Sequence, residues 1–247
     1  MKKKKANSLF IILLSLFTLL GCVSVINKNN TNIPTNNDNV IDVVDFSELT
    51  YVAMGDSITH GTYLETPYPY LVGDILGIEK VYNYGINSST ISKCNDGRDS
   101  LHNPMVLRYM NMNNNADIIS VMAGINDWIH FHDFGTIDSE ENTTLYGAVK
   151  IKCQGLKEKY PNSFIFFMTP YDSSVEKERE ETPKLVGEII KEVCAIYDIP
   201  VLDLYARNDF IPSKHSSDGL HPNQEFMNTY TAPTIAQFIK ENYKQSK

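Results

Sequence analysis

From residue 48 onward, apolar and polar positions alternate in blocks. Short, mostly continuous apolar runs stand at 49–54 (LTYVAM), 80–84 (KVYNY), 117–123 (DIISVMA), 164–169 (FIFFMT) and 199–204 (IPVLDL). Runs of this length predict strands whose two faces are both covered. Between them, Leu145, Val149, Cys153, Leu156 and Tyr160 recur at steps of three or four, and Pro161 ends the run. Val186, Ile189, Ile190, Val193 and Tyr197 repeat the pattern. Both predict amphipathic helices. Tyr70–Leu76 and Met105–Met110 are weaker helical stretches. The stretch after His221 is helical in character, with Pro233 expected to break or kink it. Strands alternating with helices predict an α/β fold, a parallel sheet covered on both sides. Ligands in such folds bind beyond the carboxyl ends of the strands.

The first 47 residues follow another plan. Lys2–Lys5 form a basic run, Leu9–Leu20 is almost entirely apolar, and Gly21-Cys22 follows. That order predicts a signal peptide over 1–21, with an apolar run too short for a comfortable membrane span. Leu19-Leu20-Gly21-Cys22 resembles a bacterial lipobox, which implies lipidation of Cys22. Residues 22–47 are rich in Asn and Thr and carry little core material, as a flexible tether would. The expected product is an exported domain, 48–247, held on the outer side of the cell membrane by lipid alone.

Composition narrows the partners. The 247 residues are 42% hydrophobic and 21% charged, enough to build a core. Net charge is −8, and removing residues 1–21, which hold four lysines and no acid, makes it −12. A surface so acidic argues against nucleic acid. Beyond Cys22 the cysteines are Cys94, Cys153 and Cys194, an odd number. Cys153 and Cys194 lie in the apolar helical patterns and are expected to be buried thiols.

The strand ends carry the chemistry. Gly55-Asp56-Ser57 follows the first strand, Gly85 the second, and Gly124-Ile125-Asn126-Asp127 the third; Asp218-Gly219-Leu220-His221-Pro222 lies beyond the fifth. Ser57 becomes a nucleophile when a base takes its proton, and His221 is the expected base. Asp218, three residues earlier, is placed to hold the imidazole in one tautomer. The amides of Ser57 and Gly85 and the side chain of Asn126 are expected to bind an oxyanion.

These four blocks resemble the SGNH, or GDSL-type, hydrolases: GDSIT at 55–59, Gly85, GIND at 124–127 and DGLHP at 218–222. The resemblance covers roughly residues 49–240. It implies a flavodoxin-like three-layer α/β/α sandwich, a five-stranded sheet in the order 2-1-3-4-5, and serine esterase or acylhydrolase activity with no metal and no cofactor. Ser88 and Phe226 stand where the family often has glycine. No G-x-S-x-G is present, so the nucleophile elbow of the α/β-hydrolases is not indicated.

Other residues have plainer readings. His130 and His132 form an H-x-H pair able to bind zinc, but pocket lining or solvent contact is the expectation. Trp128 and Phe131 fit either an acyl or sugar wall or plain packing. Asp56 and Asp127 are expected to fix their loops by bonding backbone. His60 and His215 are the alternative bases. The charged stretch 171–184 is a solvated loop or a rim over the site. The expected substrate is a small-molecule or polysaccharide ester, with O-acetyl groups on carbohydrate favoured. A lipid or thioester acylhydrolase and a non-catalytic tethered carbohydrate-binding protein are the rivals.

Overall fold

The computed structural model describes residues 44–94, 97–176 and 182–244. The expected signal peptide, nearly all of the tether and Cys22 therefore lie outside the described residues, as does part of the charged stretch after β4. Among the described residues no helix is long and apolar enough to cross a membrane.

Five strands, β1 (Thr50–Gly55), β2 (Lys80–Gly85), β3 (Ile118–Met122), β4 (Phe164–Met168) and β5 (Val201–Leu202), form one parallel sheet. Its order is β2-β1-β3-β4-β5. Gly55 at the end of β1 pairs with Gly85 on one side and Met122 on the other, so three strand ends lie level at one rim.

The helices are α1 (Ser57–His60), α2 (Tyr68–Leu76), α3 (Asp99–His102), α4 (Ile125–Ile129), α5 (Leu145–Lys159), α6 (Pro183–Ile196), α7 (Leu204–Arg207), α8 (Pro212–His215), α9 (Gln224–Phe226) and α10 (Ala232–Asn242). Side chains alternate across a strand, so each strand feeds two cores. Val52, Met54, Ile119, Val121 and Phe167 pack with α5 and α6. Tyr51, Ala53, Ile118, Met122 and Phe166 pack on the opposite face with α2 and α10. The result is the expected three-layer α/β/α sandwich. Thr144 caps α5 by accepting from the Gly147 N–H, and Pro183 opens α6 where its missing N–H costs nothing.

Three expectations needed correction. Met105–Met110 forms no α-helix; only a 3₁₀ turn appears, at Arg108–Asn111. Pro233 does not break the C-terminal helix. A π-helical stretch, Met227–Thr231, runs into α10, and the Ala232 N–H bonds five residues back to the Met227 carbonyl. The wider turn comes just before a residue with no N–H to donate, so the helix continues. β5 is also shorter than the apolar run 199–204 suggested.

Candidate active site

β1 stops at Gly55 because the next residues turn into α1. Asp56 caps that helix by accepting from the Ile58 N–H (3.0 Å). Ser57 is its first residue, at the sheet rim. The packing around α1 is tight. A Cβ on Gly55 would lie 1.9 Å from Thr59 Oγ1, and one on Gly85 would lie 2.2 Å from the His60 nitrogen. Both positions need glycine so that α1 can press on the ends of β1 and β2.

Two stretches far apart in the sequence meet here. Ser57 Oγ lies 2.7 Å from His221 Nε2. His221 Nδ1 lies 2.6 Å from Asp218 Oδ2. The acid sits in a turn closed by an antiparallel bridge between Ser216 and Pro222. Asp218 Oδ1 accepts from the N–H groups of His221 (2.8 Å) and Leu220 (3.0 Å) and from the Ser216 hydroxyl (2.9 Å). Partial burial pushes this carboxyl up, but those bonds and the His221 ring outweigh it and hold the pKa well below the usual range. Asp218 is thus a carboxylate aimed at Nδ1, leaving Nε2 to take a proton from Ser57.

Asn126 lies buried in α4 and donates from Nδ2 to the Ser89 carbonyl (3.0 Å). Gly85 departs from expectation as an oxyanion donor. Its N–H donates to Asn83 Oδ1 (2.8 Å), while Asn83 Nδ2 donates to the Thr59 carbonyl (2.8 Å). Asn83 thus ties β2 to α1 and occupies the amide the sequence offered to a substrate.

The two aspartates fix loops, as expected. Asp127 accepts from the N–H groups of Ile91 (2.7 Å) and Ser92 (2.9 Å) and from the Ser92 hydroxyl (2.6 Å). Burial raises the Asp56 carboxyl to about 7; the Ile58 bond opposes this, and the neighbouring Asp127 adds to it. Ser88 keeps the left-handed backbone (φ 58°) that glycine would adopt freely. Phe226 stacks on His215 at 4.6 Å. His215 Nδ1 accepts from the Ile211 N–H, so this imidazole braces its own loop. Trp128 is buried in the core, and Phe131 is exposed. Among the described residues no three His, Cys, Asp or Glu side chains are arranged to hold a metal.

Sequence reasoning missed four residues. Arg108 donates from one nitrogen to the carbonyls of Gly55 (3.2 Å) and Tyr84 (3.0 Å), clipping two strand ends close to Ser57. Asn83 is the second. Tyr63 is 78% exposed, has φ 67°, and meets the His221 ring edge-on at 5.6 Å. Gln224 Oε1 accepts from the N–H groups of Glu65 (2.9 Å) and Thr66 (3.0 Å), which holds the loop bearing Tyr63. The one available signal was position: Tyr63 and Gln224 each lie just after a recognised block.

Residues 53–227 match the GDSL-like lipase/acylhydrolase family. The chain belongs to that family. It is a carboxylic ester hydrolase on an SGNH-type fold. No curated protein matches it, but solved structures do. A protein from Lactobacillus plantarum is similar at 24% identity and TM-score 0.73, covering 81% of this chain and all of its own (100%). A possible lipase from Chitinophaga pinensis is similar at 22% and 0.63, covering 78% of this chain and 98% of its own. A mutant acetyl-xylooligosaccharide esterase from Geobacillus is similar at 20% and 0.56, covering 83% and 99%. At these identities the likeness speaks for the shared fold.

Proposed function

We propose that this family member is a serine esterase in which Ser57 attacks the ester carbonyl, His221 carries the proton and Asp218 orients His221. The observation that carries the reading is the unbroken run from Ser57 Oγ through His221 to the Asp218 carboxylate. The Ser57 hydroxyl proton passes to Nε2 as Oγ bonds the carbonyl carbon. The resulting oxyanion takes the Ser57 N–H and the second amide hydrogen of Asn126. His221 then gives its proton to the leaving alcohol, and water repeats the sequence to free the acid. Gly85 joins as a donor only if Asn83 releases its N–H.

The substrate proposed is a small acyl ester, an acetyl group above all, on a carbohydrate. Tyr63 supports this: an exposed aromatic face beside the base suits a sugar ring on the alcohol side of the bond. The fold shared with an acetyl-xylooligosaccharide esterase is consistent with it.

The test is hydrolysis of p-nitrophenyl acetate by wild type and Ser57→Ala. A kcat lowered by roughly 10⁴ supports the mechanism; equal rates overturn it. Export and anchoring through Cys22 are proposed from the sequence alone. Metabolic labelling with a fatty acid should mark wild type and leave Cys22→Ala unmarked; equal labelling of both would refute the anchor.

A further inference from the structure

The polypeptide leaving β4 is anchored at two points beside the Asp218 turn. Tyr171 is buried in the core covered by α2 and α10, against the rings of Phe210 (5.1 Å) and Phe226 (5.7 Å), and its hydroxyl bonds Thr231 Oγ1 (2.8 Å). Val175 packs against the other core, the one covered by α5 and α6. Residues 171–175 are therefore held at both ends, one in each core, with Ser173 and Ser174 between them.

Gly219 hangs on this strap. Its carbonyl accepts from the Ser174 N–H (3.0 Å) and the Ser173 hydroxyl (3.2 Å), and the Ser174 hydroxyl approaches it at 3.5 Å. The Ser173 oxygen accepts from the Val175 N–H (3.1 Å), and the Ser173 N–H donates to Asp172 Oδ1 (2.8 Å). The seat is close: Gly219 has φ 76°, and a Cβ there would overlap Ser174 Oγ. Leu220, the next residue, packs against the same core as Val175. The bonds of Asp218 Oδ1 and the Ser216–Pro222 bridge shape the turn from within, but they do not place it relative to Ser57. Among the described residues, the hydrogen bonds that take residues 217–222 to another element are His221 to Ser57 and those of the Gly219 carbonyl.

We propose that, given the mechanism above for Ser57, His221 and Asp218, Ser173 and Ser174 are positioning residues that hold the Asp218 turn so that His221 Nε2 meets Ser57 Oγ. The proton leaves Oγ across a contact of 2.7 Å. A displacement of about 1 Å at such a contact can cost a factor of roughly 10² in rate. Ser173 and Ser174 act through the Gly219 carbonyl, so their loss falls on kcat and spares KM.

The experiment compares the full chain with its Ser173→Ala, Ser173→Thr, Ser174→Pro and Ser57→Ala variants. On p-nitrophenyl acetate, kcat should fall roughly tenfold in Ser173→Ala and further in Ser174→Pro, which deletes the N–H, with KM within about twofold of wild type. Ser173→Thr keeps the hydroxyl and should recover most of the loss. Labelling of Ser57 by a fluorophosphonate, in which Oγ bonds phosphorus and fluoride leaves, needs His221 at Ser57 but no ester. It should therefore slow by the same factor as kcat. Ser173→Ala at the wild-type kcat, Ser173→Thr no better than Ser173→Ala, or a loss confined to KM with labelling unchanged overturns the strap. The Ser173 pair decides this even if Ser174→Pro does not fold. Ser57→Ala separates the two levels. Hydrolysis there at the wild-type rate overturns the mechanism and the strap together, whereas its loss there beside full activity in Ser173→Ala overturns the strap alone.

Discussion

Asp218 divides its work between two oxygens. Oδ2 meets the imidazole, while Oδ1 is spent on the turn that carries it. Asp218 and His221 therefore sit on one turn, and only Ser57 must be brought to them. Tyr63 lies on the other side of the same imidazole, exposed and in a left-handed conformation that a bulky side chain adopts at some cost. This exposed ring is the one on which the proposed sugar contact rests. Tyr63→Ala should raise KM for an acetylated xylo-oligosaccharide roughly tenfold or more, with kcat on p-nitrophenyl acetate nearly unchanged. Equal losses on both substrates would make Tyr63 a prop for His221 instead of a platform for sugar. The contact of Ser57, His221 and Asp218 was legible in the sequence because spacing reported it: a strand end, then a three-residue step from Asp218 to His221. Tyr63 was not, because an exposed tyrosine in a turn has no pattern to distinguish it.

At the scale of elements, the short helix α1 decides the geometry. It is wedged between the ends of β1 and β2, with glycine facing it from both strands. Gly85 was read as a donor of hydrogen bonds, and the structure gives it another reason to be glycine, the missing Cβ. Gly85→Ala should push α1 outward and move Ser57 off His221. The expected loss in kcat is on the order of 10², alongside a lowered Tm. Activity within twofold of wild type would show that α1 can shift without cost. The sheet and its long helices were legible because burial on both faces leaves continuous apolar runs in the strands and a 3.6 period in the helices. The π turn before Pro233 and the 3₁₀ turn at Arg108–Asn111 were not, because they arise where helix periodicity fails.

The whole molecule carries buried charge-forming groups whose titration opposes one another. Lys152 on α5 is fully buried, with its ammonium on the Met105 carbonyl (2.6 Å) and Met54 Sδ (3.0 Å). Burial, helped by the nearby Arg108 cation, lowers its pKa to about 7. The unfolded chain holds that proton up to about pH 10. Between about 7 and 10 the unfolded state thus binds more protons, and stability rises with pH. Asp56, raised to about 7, works the other way: from about pH 4 to 7 the folded state holds the extra proton and stability falls. Thermal unfolding across pH should therefore pass through a trough near neutrality. Lys152→Met should flatten the alkaline side and Asp56→Asn the acid side. Unchanged slopes in both variants would mean that neither group is perturbed as its burial implies.

Ser57 and His221 are 164 residues apart, and every neighbouring pair of strands in the sheet is parallel. Each pairing therefore needs a long crossover, and chains of this kind fold slowly because loops must close before contacts reward them. Helix content and the Asp218 turn are local and form early. Ser57 and His221 meet only when the first strand and the last helices are docked on the same sheet. In a refolding chain, ester hydrolysis should consequently reappear after the helical signal has recovered, which makes turnover a clock for the final step of assembly.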